Sequence, residues 1–387
     1  MDPLTRRPAT VVGGGIGGLA TALALQRTGW EVTVRERRTS LDRGGAGLVL
    51  WPNALRCLDL LGVGDAVRQA GTALDGVAIR RPDGRPVSSL VTEPGARRPL
   101  AILRADLVDA LAGALEPSVL TLDATVSDIE SLPGDLVVGA DGLRSTVRRA
   151  LGVAVEPASR GYTVWRAVVP PGVGPLADPR ELCETWGAGV RVGTVPLGGR
   201  GTYLYASAPL SAAGPARTAE TELAWLRRRF ADWHAPVPAL LRAIEPSTLL
   251  RHDVADLPPG RVPLHRGRYS LVGDAGHAME PNLGQGAGLA LEDAVVLAHA
   301  LTVEPSVAGA LSTYDDHRAP RVASLARQSR RIGQLSRLTQ PHLVALRDAA
   351  MRMTPDRATR RASAAAHDWR PPATPHVHTH PTAQEPA

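Results

Sequence analysis

Residues 10–36, TVVGGGIGGLATALALQRTGWEVTVRE, leave a chain few ways to fold. A β-branched run meets a glycine cluster, then an apolar helical stretch, then a second apolar run, the pattern of a strand–turn–helix–strand unit. Gly13, Gly15 and Gly18 spell G-x-G-x-x-G, with Gly17 beside them. Side chains at those positions would block the tight turn and hold the helix off the strand. Without them, backbone N–H groups at the helix N-terminus can take a pyrophosphate. Glu36 closes the second strand, 18 residues beyond Gly18, where a carboxylate can accept hydrogen bonds from an adenosine ribose. The acid favours NAD or FAD over NADP and does not choose between the first two.

Composition removes several alternatives. The chain has 387 residues, enough for two domains or one large α/β unit with an insertion, and 44% of them are hydrophobic, enough for a substantial core. The net charge of +6 suggests nucleic acid at first sight, but all 44 basic residues are arginines scattered through every segment, with no basic stripe. The absence of lysine excludes a pyridoxal-phosphate Schiff base and a P-loop. Cys57 and Cys183 form no CxxC pair and no metal spacing, as in a reducing compartment. The N-terminus lacks the apolar run of a signal peptide. The apolar stretch 286–301 is broken by Glu292 and Asp293, which argues against a membrane span. The expectation is a cytoplasmic protein with no metal, no membrane and no nucleic-acid partner.

A second glycine loop stands far downstream. In RYSLVGDAGHAMEPNLGQGAGLALEDA a buried strand delivers Asp274, and Gly284, Gln285 and Gly286 open another helix. An acid at a strand end binds sugar-like hydroxyls, and a helix N-terminus offers free N–H groups and partial positive charge. A ribityl chain and the N1–C2=O edge of a flavin need those two features. One FAD therefore accounts for both loops, ADP half in the first and flavin half in the second. His277 beside the loop reads as a loop-stabilising residue rather than a base.

Between the loops the pattern predicts a strand and a Pro52-initiated helix over 45–63, a hairpin over 76–91, a helix over 103–115 and a buried strand over 135–139. Strand-like pieces dominate 155–260, with a helix at 221–233, and an Arg-rich helical stretch covers 312–366. The expected architecture is α/β. A Rossmann-like FAD-binding domain (1–154 and 261–325) carries an inserted β-rich substrate domain (155–260), then a helical region (326–369) and a disordered tail (370–387). The tail histidines His376, His378 and His380 read as solvated.

Taken together, GGGIGGL…E, VVGADGLRSTVR and GDAGHAMEPNLGQGAGLALEDA resemble the three fingerprints of single-component FAD-dependent aromatic hydroxylases, the para-hydroxybenzoate hydroxylase fold. GAGLVLWPNALRCLDLLG, LRADL and YDDHRAPR resemble further family blocks in the expected order, so the likeness spans about residues 9–325. It implies ADP contacts from Gly13, Gly15, Gly17, Gly18 and Glu36, and a backbone contact to adenine at Val126. It also implies an arginine near the flavin half at Arg104, the DG motif at Asp141 and Gly142, and flavin contacts from Asp274, Pro281 and Gly284–Gly286. The segment before the DG motif is shorter than the family pattern. The implied reaction is monooxygenation: NADH or NADPH, docking transiently, reduces FAD; O2 adds; and a C4a-hydroperoxyflavin passes one oxygen to an electron-rich ring. Arg191 and Tyr203 match positions that hold and activate the purine in the related urate hydroxylases, and salicylate and hydroxybenzoate hydroxylases share the framework. Natural-product tailoring hydroxylases or epoxidases are the alternative. A halogenase is disfavoured by VWRAVVP in place of WxWxIP and by the missing lysine, and a non-hydroxylating FAD scaffold stays open. The expected assembly is a monomer or homodimer.

Overall fold

The computed structural model describes residues 7–372 except 43, 45 and 174–177. The predicted tail beyond residue 372, with its three histidines, lies outside the described residues. Three sheets organise the chain. The first runs His265–Arg266, Tyr269–Leu271, Leu136–Gly139, Pro8–Val12, Glu31–Arg35, Leu120–Thr121, parallel throughout except at its His265–Arg266 edge. Its central strand VVG is buried on both faces, as parallel strands between helices are. The glycine-loop helix Ile16–Arg27 packs on the second loop's helix, Gly286–Val303, and Gly17 lets them close: a Cβ there would lie 3.2 Å from Ala290 Cβ. Gly286–Val303 is apolar and long enough to cross a membrane, but it is a core helix, 67% buried inside the protein.

The second sheet has seven strands in the order Leu250–Asp256, Ala158–Val169, Thr202–Pro209, Arg191–Pro196, Glu181–Trp186, Gly76–Arg80, Pro86–Val91. The sheet layer is therefore not confined to 155–260. The hairpin 76–91 pairs in parallel with Glu181–Trp186 and supplies the far edge. Local alternation announces a hairpin; it cannot say which sheet the hairpin joins. One sheet face, with Trp165, Leu204 and Ala206, packs on helices Ala219–Arg229 and Val237–Ala243. The other faces the first layer.

Gly47–Leu50, Leu100–Leu103 and Thr72–Ala73 form the small third sheet between the layers. The Arg-rich stretch comprises three helices, Val307–Ser336, Pro341–Met353 and Asp356–His367. The first runs through Pro320 and across the expected boundary at 325. A proline forfeits one helical N–H and normally ends a helix from sequence. Here the helix is held by Tyr314, Arg318, Val322 and Leu325, all buried.

Candidate active site

In the first loop the glycines have specific causes. Gly13 adopts φ +110°, and a Cβ on Gly18 would sit 1.9 Å from Gly13 O. Gly15 caps the helix without a side-chain hydrogen bond, leaving first-turn N–H groups unclaimed. Glu36 braces the loop, its carboxylate accepting from Gly14 N (2.6 Å) and Arg38 N (2.9 Å). Each oxygen keeps a lone pair for a further donor. Val126 is half-buried in the coil before Leu136–Gly139. The carboxylate of Asp141 is taken up within its own turn. It accepts from Ser145 Oγ and from Thr146 N and Val147 N, so it caps the helix Thr146–Ala150 while Gly142 turns at φ +80°.

The second loop is clamped from below. Asp293, fully buried, accepts from Gly273 N (2.8 Å), bonds His277 Nε2 (2.6 Å) and accepts from Arg318 Nε (2.7 Å). Its pKa falls to about 2, because His277 and Arg318 outweigh the cost of burial. Buried Glu292 accepts from Arg318 (2.6 Å), from Arg321 (2.6 and 2.7 Å) and from Asn53 (2.7 Å). Neither acid was identified from sequence as more than a break in an apolar run; their shared partner is Arg318 of YDDHRAPR, on the helix Val307–Ser336. His277 stabilises the loop as expected.

Asp274 stands apart from that clamp. Solvent reaches it, yet surrounding protein raises its pKa above the ordinary carboxylate value, with His277, Arg104 and Arg166 drawing it back. Among the described residues, no protein group hydrogen-bonds its carboxylate. Arg104 opens the helix Arg104–Gly113 and lies 3.9 Å from Asp42.

Whether these residues fit FAD can be tested on their unmet polar atoms. Trp51 Nε1, Asn53 Oδ1 and Gln285 Nε2 are buried without partners. They form one patch, since Asn53 donates to Gln285 Oε1 (2.8 Å) and a Cβ on Gly284, at φ +61°, would lie 3.1 Å from Trp51 Nε1. Buried polar atoms left unpaired are costly, so such a cluster marks a missing ligand with both donors and acceptors. Together with the open N-terminus of Gly286–Val303 behind Gln285, it suits the polar edge of a flavin. The residues present fit the cofactor.

The sheet supplies the opposite wall. Directly opposed residues share a face, and the register places Glu184, Gly193, Tyr205 and Arg166 in one row and Trp186, Arg191 and Ser207 in the next. Arg191 is 4% exposed and its Nη2 donates to Asn282 Oδ1 (2.5 Å) in the turn Pro281–Leu283. The structure thus brings Arg191 and Pro281 together. Among the described residues its Nε and Nη1 have no hydrogen-bond partner, Nη1 lying 3.6 Å from Glu184. Tyr203 sits in a different setting. Its ring rests on Gly47, where a Cβ would lie 2.4 Å away, among Ala46, Leu74 and Val195. Burial raises its pKa and adjacent Arg166 opposes that. Asn282 and Arg337 both donate to buried Glu280, at 3.0 and 2.9 Å, beneath Gly333, which has no side chain to intrude.

The chain matches the FAD binding domain family over residues 6–123 and 114–329. That match covers most of the chain, and relatives 38% and 34% identical that are a monooxygenase/isomerase and a urate hydroxylase settle the assignment. The chain belongs to the FAD-dependent aromatic monooxygenases. This monooxygenase is 38% identical over 366 residues to the aurachin C monooxygenase/isomerase of Stigmatella aurantiaca, covering 89% of this chain and 93% of that protein. It is 34% identical to the FAD-dependent urate hydroxylase of Klebsiella pneumoniae, covering 84% and 88%. Its fold superposes on the crystal structure of Klebsiella pneumoniae HpxO complexed with FAD and uric acid, with a TM-score of 0.84 at 29% identity, covering 93% of this chain and 96% of that one. The expectations of fold, FAD cofactor and hydroxylating enzyme hold.

The helix Asp356–His367 docks on the second glycine loop. His367 stacks on Trp51 with ring centroids 3.8 Å apart, and Trp369 lies under Arg318 and Arg321. Burial lowers the His367 pKa to about 4, against an ordinary value near 6.5. A released ring therefore takes a proton more readily than a docked one. Docking is at full strength above pH 6.5 and weakens as pH falls from there toward 4, by up to about 3 kcal/mol. A tryptophan-fluorescence titration of the wild type is expected to show a step in that window, absent in His367→Phe.

Proposed function

We propose that this monooxygenase hydroxylates a small aromatic or heteroaromatic ring carrying an ionisable ring oxygen or N–H, seated beside the Arg191–Asn282 contact. The observation that carries the reading is the Arg191 guanidinium: it is buried, with two nitrogens lacking an acceptor. An anionic ring oxygen supplies one of them with an acceptor, and charge-assisted hydrogen bonds to a buried guanidinium are among the stronger ones. Tyr203, beside Arg166, is the second wall residue. The substrate layer in this reading is 155–260 together with the hairpin 76–91.

FAD, held by the Gly13–Gly18 loop, Glu36, Arg104, Asp274 and the Gly284–Gly286 turn, supplies the redox and oxygen-activating chemistry, with NADH or NADPH as electron donor. The chain's own contribution is to bind, orient and desolvate the ring. A monomer or homodimer in the cytoplasm fits such an enzyme. Urate is the first ring to try. The 38% identity to a natural-product enzyme favours a larger tailoring substrate of the aurachin kind as the second.

The test is NADH and NADPH oxidation by the yellow enzyme with urate, aurachin C, salicylate and hydroxybenzoates, with products read by mass. One ring should stimulate oxidation and gain one oxygen. Arg191→Gln is then expected to lower kcat/KM for that ring by about 100-fold, with flavin content unchanged. An unaffected kcat/KM would remove Arg191 from the site.

A further inference from the structure

The sheet wall contains an acid–hydroxyl pair that the function so far leaves unused. Tyr205 reaches across its strand neighbour to Glu184: its hydroxyl donates to Glu184 Oε1, while Trp186 Nε1 donates to Oε2 at 2.7 Å. The reach exists because Gly193 lies between them. A Cβ there would be 2.0 Å from Tyr205 Cζ, so the phenol occupies the space of a missing side chain. Arg191 stands over the pair, its Nη1 3.6 Å from the same Glu184 oxygen that Tyr205 uses. Both Tyr205 and Glu184 remain partly solvent-accessible, whereas Arg191 is buried. A ring oxygen placed on the open Arg191 nitrogens is thereby brought to the Tyr205 end of the pair.

We propose that Tyr205 and Glu184 form the proton exit for the ring, with Tyr205 taking the proton from the substrate O–H or N–H and passing its own to Glu184. This rests on the hydroxylase reading above. The substrate O–H or N–H bond breaks as a new Tyr205 O–H forms. The original Tyr205 O–H breaks as a Glu184 O–H forms, leaving a ring anion on Arg191, a neutral carboxylic acid and an unchanged tyrosine. No oxidant is involved, and total charge is conserved.

Burial and the neighbouring Glu184 hold the Tyr205 pKa well above its ordinary value, so the phenol stays protonated and serves as relay rather than base. Other groups face the pair: Arg166, Tyr203 and Tyr162 from the sheet, Glu280 from the loop, and Arg337 and Arg347 from the helices beyond. Arginines and tyrosines do not ionise near neutrality, and Glu280 is salt-bridged to Arg337. The relay's own signature is therefore readable between pH 5 and 9 against that background.

The experiment is the pH profile of kcat/KM for wild type, Glu184→Gln and Tyr205→Phe, using the ring the wild type turns over. Flavin content is checked for each variant. At pH values below the ring's own ionisation both variants are expected to lose about 100-fold, the usual worth of a positioned proton acceptor. The deficit should shrink about tenfold per pH unit as pH rises, until the ring arrives already ionised and wild-type rates return. Tyr205→Phe keeps the packed ring over Gly193, so it stays informative if Glu184→Gln misfolds. A deficit constant with pH, or none, in Tyr205→Phe overturns the relay while leaving the hydroxylase reading intact. A wild type that answers to no ring overturns both.

Discussion

Alanine at Gly18 is expected to leave the purified protein colourless. The added Cβ would sit 1.9 Å from Gly13 O and 3.0 Å from Gly13 C, both backbone atoms of the turn proposed to cradle the dinucleotide. Ordinary overpacking costs about 1–3 kcal/mol because side chains yield. Here the obstacle is the peptide itself, so the turn must open and the first-turn N–H groups lose their common aim. FAD affinity is expected to fall by at least about 100-fold, equivalent to about 2.7 kcal/mol. The measurement is flavin absorbance of the purified variant and its titration with added FAD, beside circular dichroism to show that the fold persists. Gly15→Ala is the informative companion. Among the described residues, chain neighbours and its own helix backbone aside, no atom lies within 4 Å of its would-be Cβ, so any loss of flavin there reports crowding of the ligand and not of the protein. Full flavin retention by Gly18→Ala would mean that this loop is not the cradle.

The largest stability effect is expected at Arg318. Its guanidinium is fully buried and bonds Asp293, Glu292 and the Leu289 carbonyl. Its two acids raise its pKa further above an already high value, so it is a permanent cation. Arg318→Leu removes that charge and leaves Asp293 buried with only His277 opposite it, while Glu292 retains Arg321. Breaking a buried pair from one side costs about 3–5 kcal/mol. A drop in Tm of several degrees is expected, with loss of flavin because Asp293 also fixes Gly273 at φ +58°. The wild type carries a milder form of the same liability. The Asp293 pKa is depressed to about 2, so its contribution is complete above pH 4 and disappears as pH falls through 2. In Arg318→Leu the acid loss should begin at higher pH. Unchanged melting of the variant would show that Arg321 carries both acids.

The sequence announced the parts of the fold that local chemistry dictates. A glycine that must adopt positive φ, a proline that opens the helix Pro52–Leu60 and an acid at a strand end all act within a few residues, so their spelling is their structure. Arg191 was legible through its likeness to a family position. Tyr205 was not, although it stands two residues from Tyr203, because its meaning lies in a missing side chain on the neighbouring strand. Asp293, Arg318 and Glu280 were equally silent, since a buried ion pair is made by elements far apart in sequence and each half alone reads as a surface charge. Asp141 shows the converse. Its motif was visible, but the structure spends its carboxylate on capping a helix.

The interleaving of the two sheets bears on the order in which the nascent chain can mature. Strand Tyr269–Leu271 must slide beside Leu136–Gly139, and the 76–91 hairpin must wait for Glu181–Trp186 before it has a partner. Each pairing spans more than 90 residues, the kind of contact that forms late because a long loop must close first. On the ribosome, the N-terminal strand pair and its glycine turn emerge early, yet the seven-stranded sheet is complete only once residue 256 has been made and the first sheet only once residue 271 has. The second glycine loop is finished only after Gly286 emerges. A cofactor that needs both loops is thus bound in full only by a chain made at least as far as Gly286.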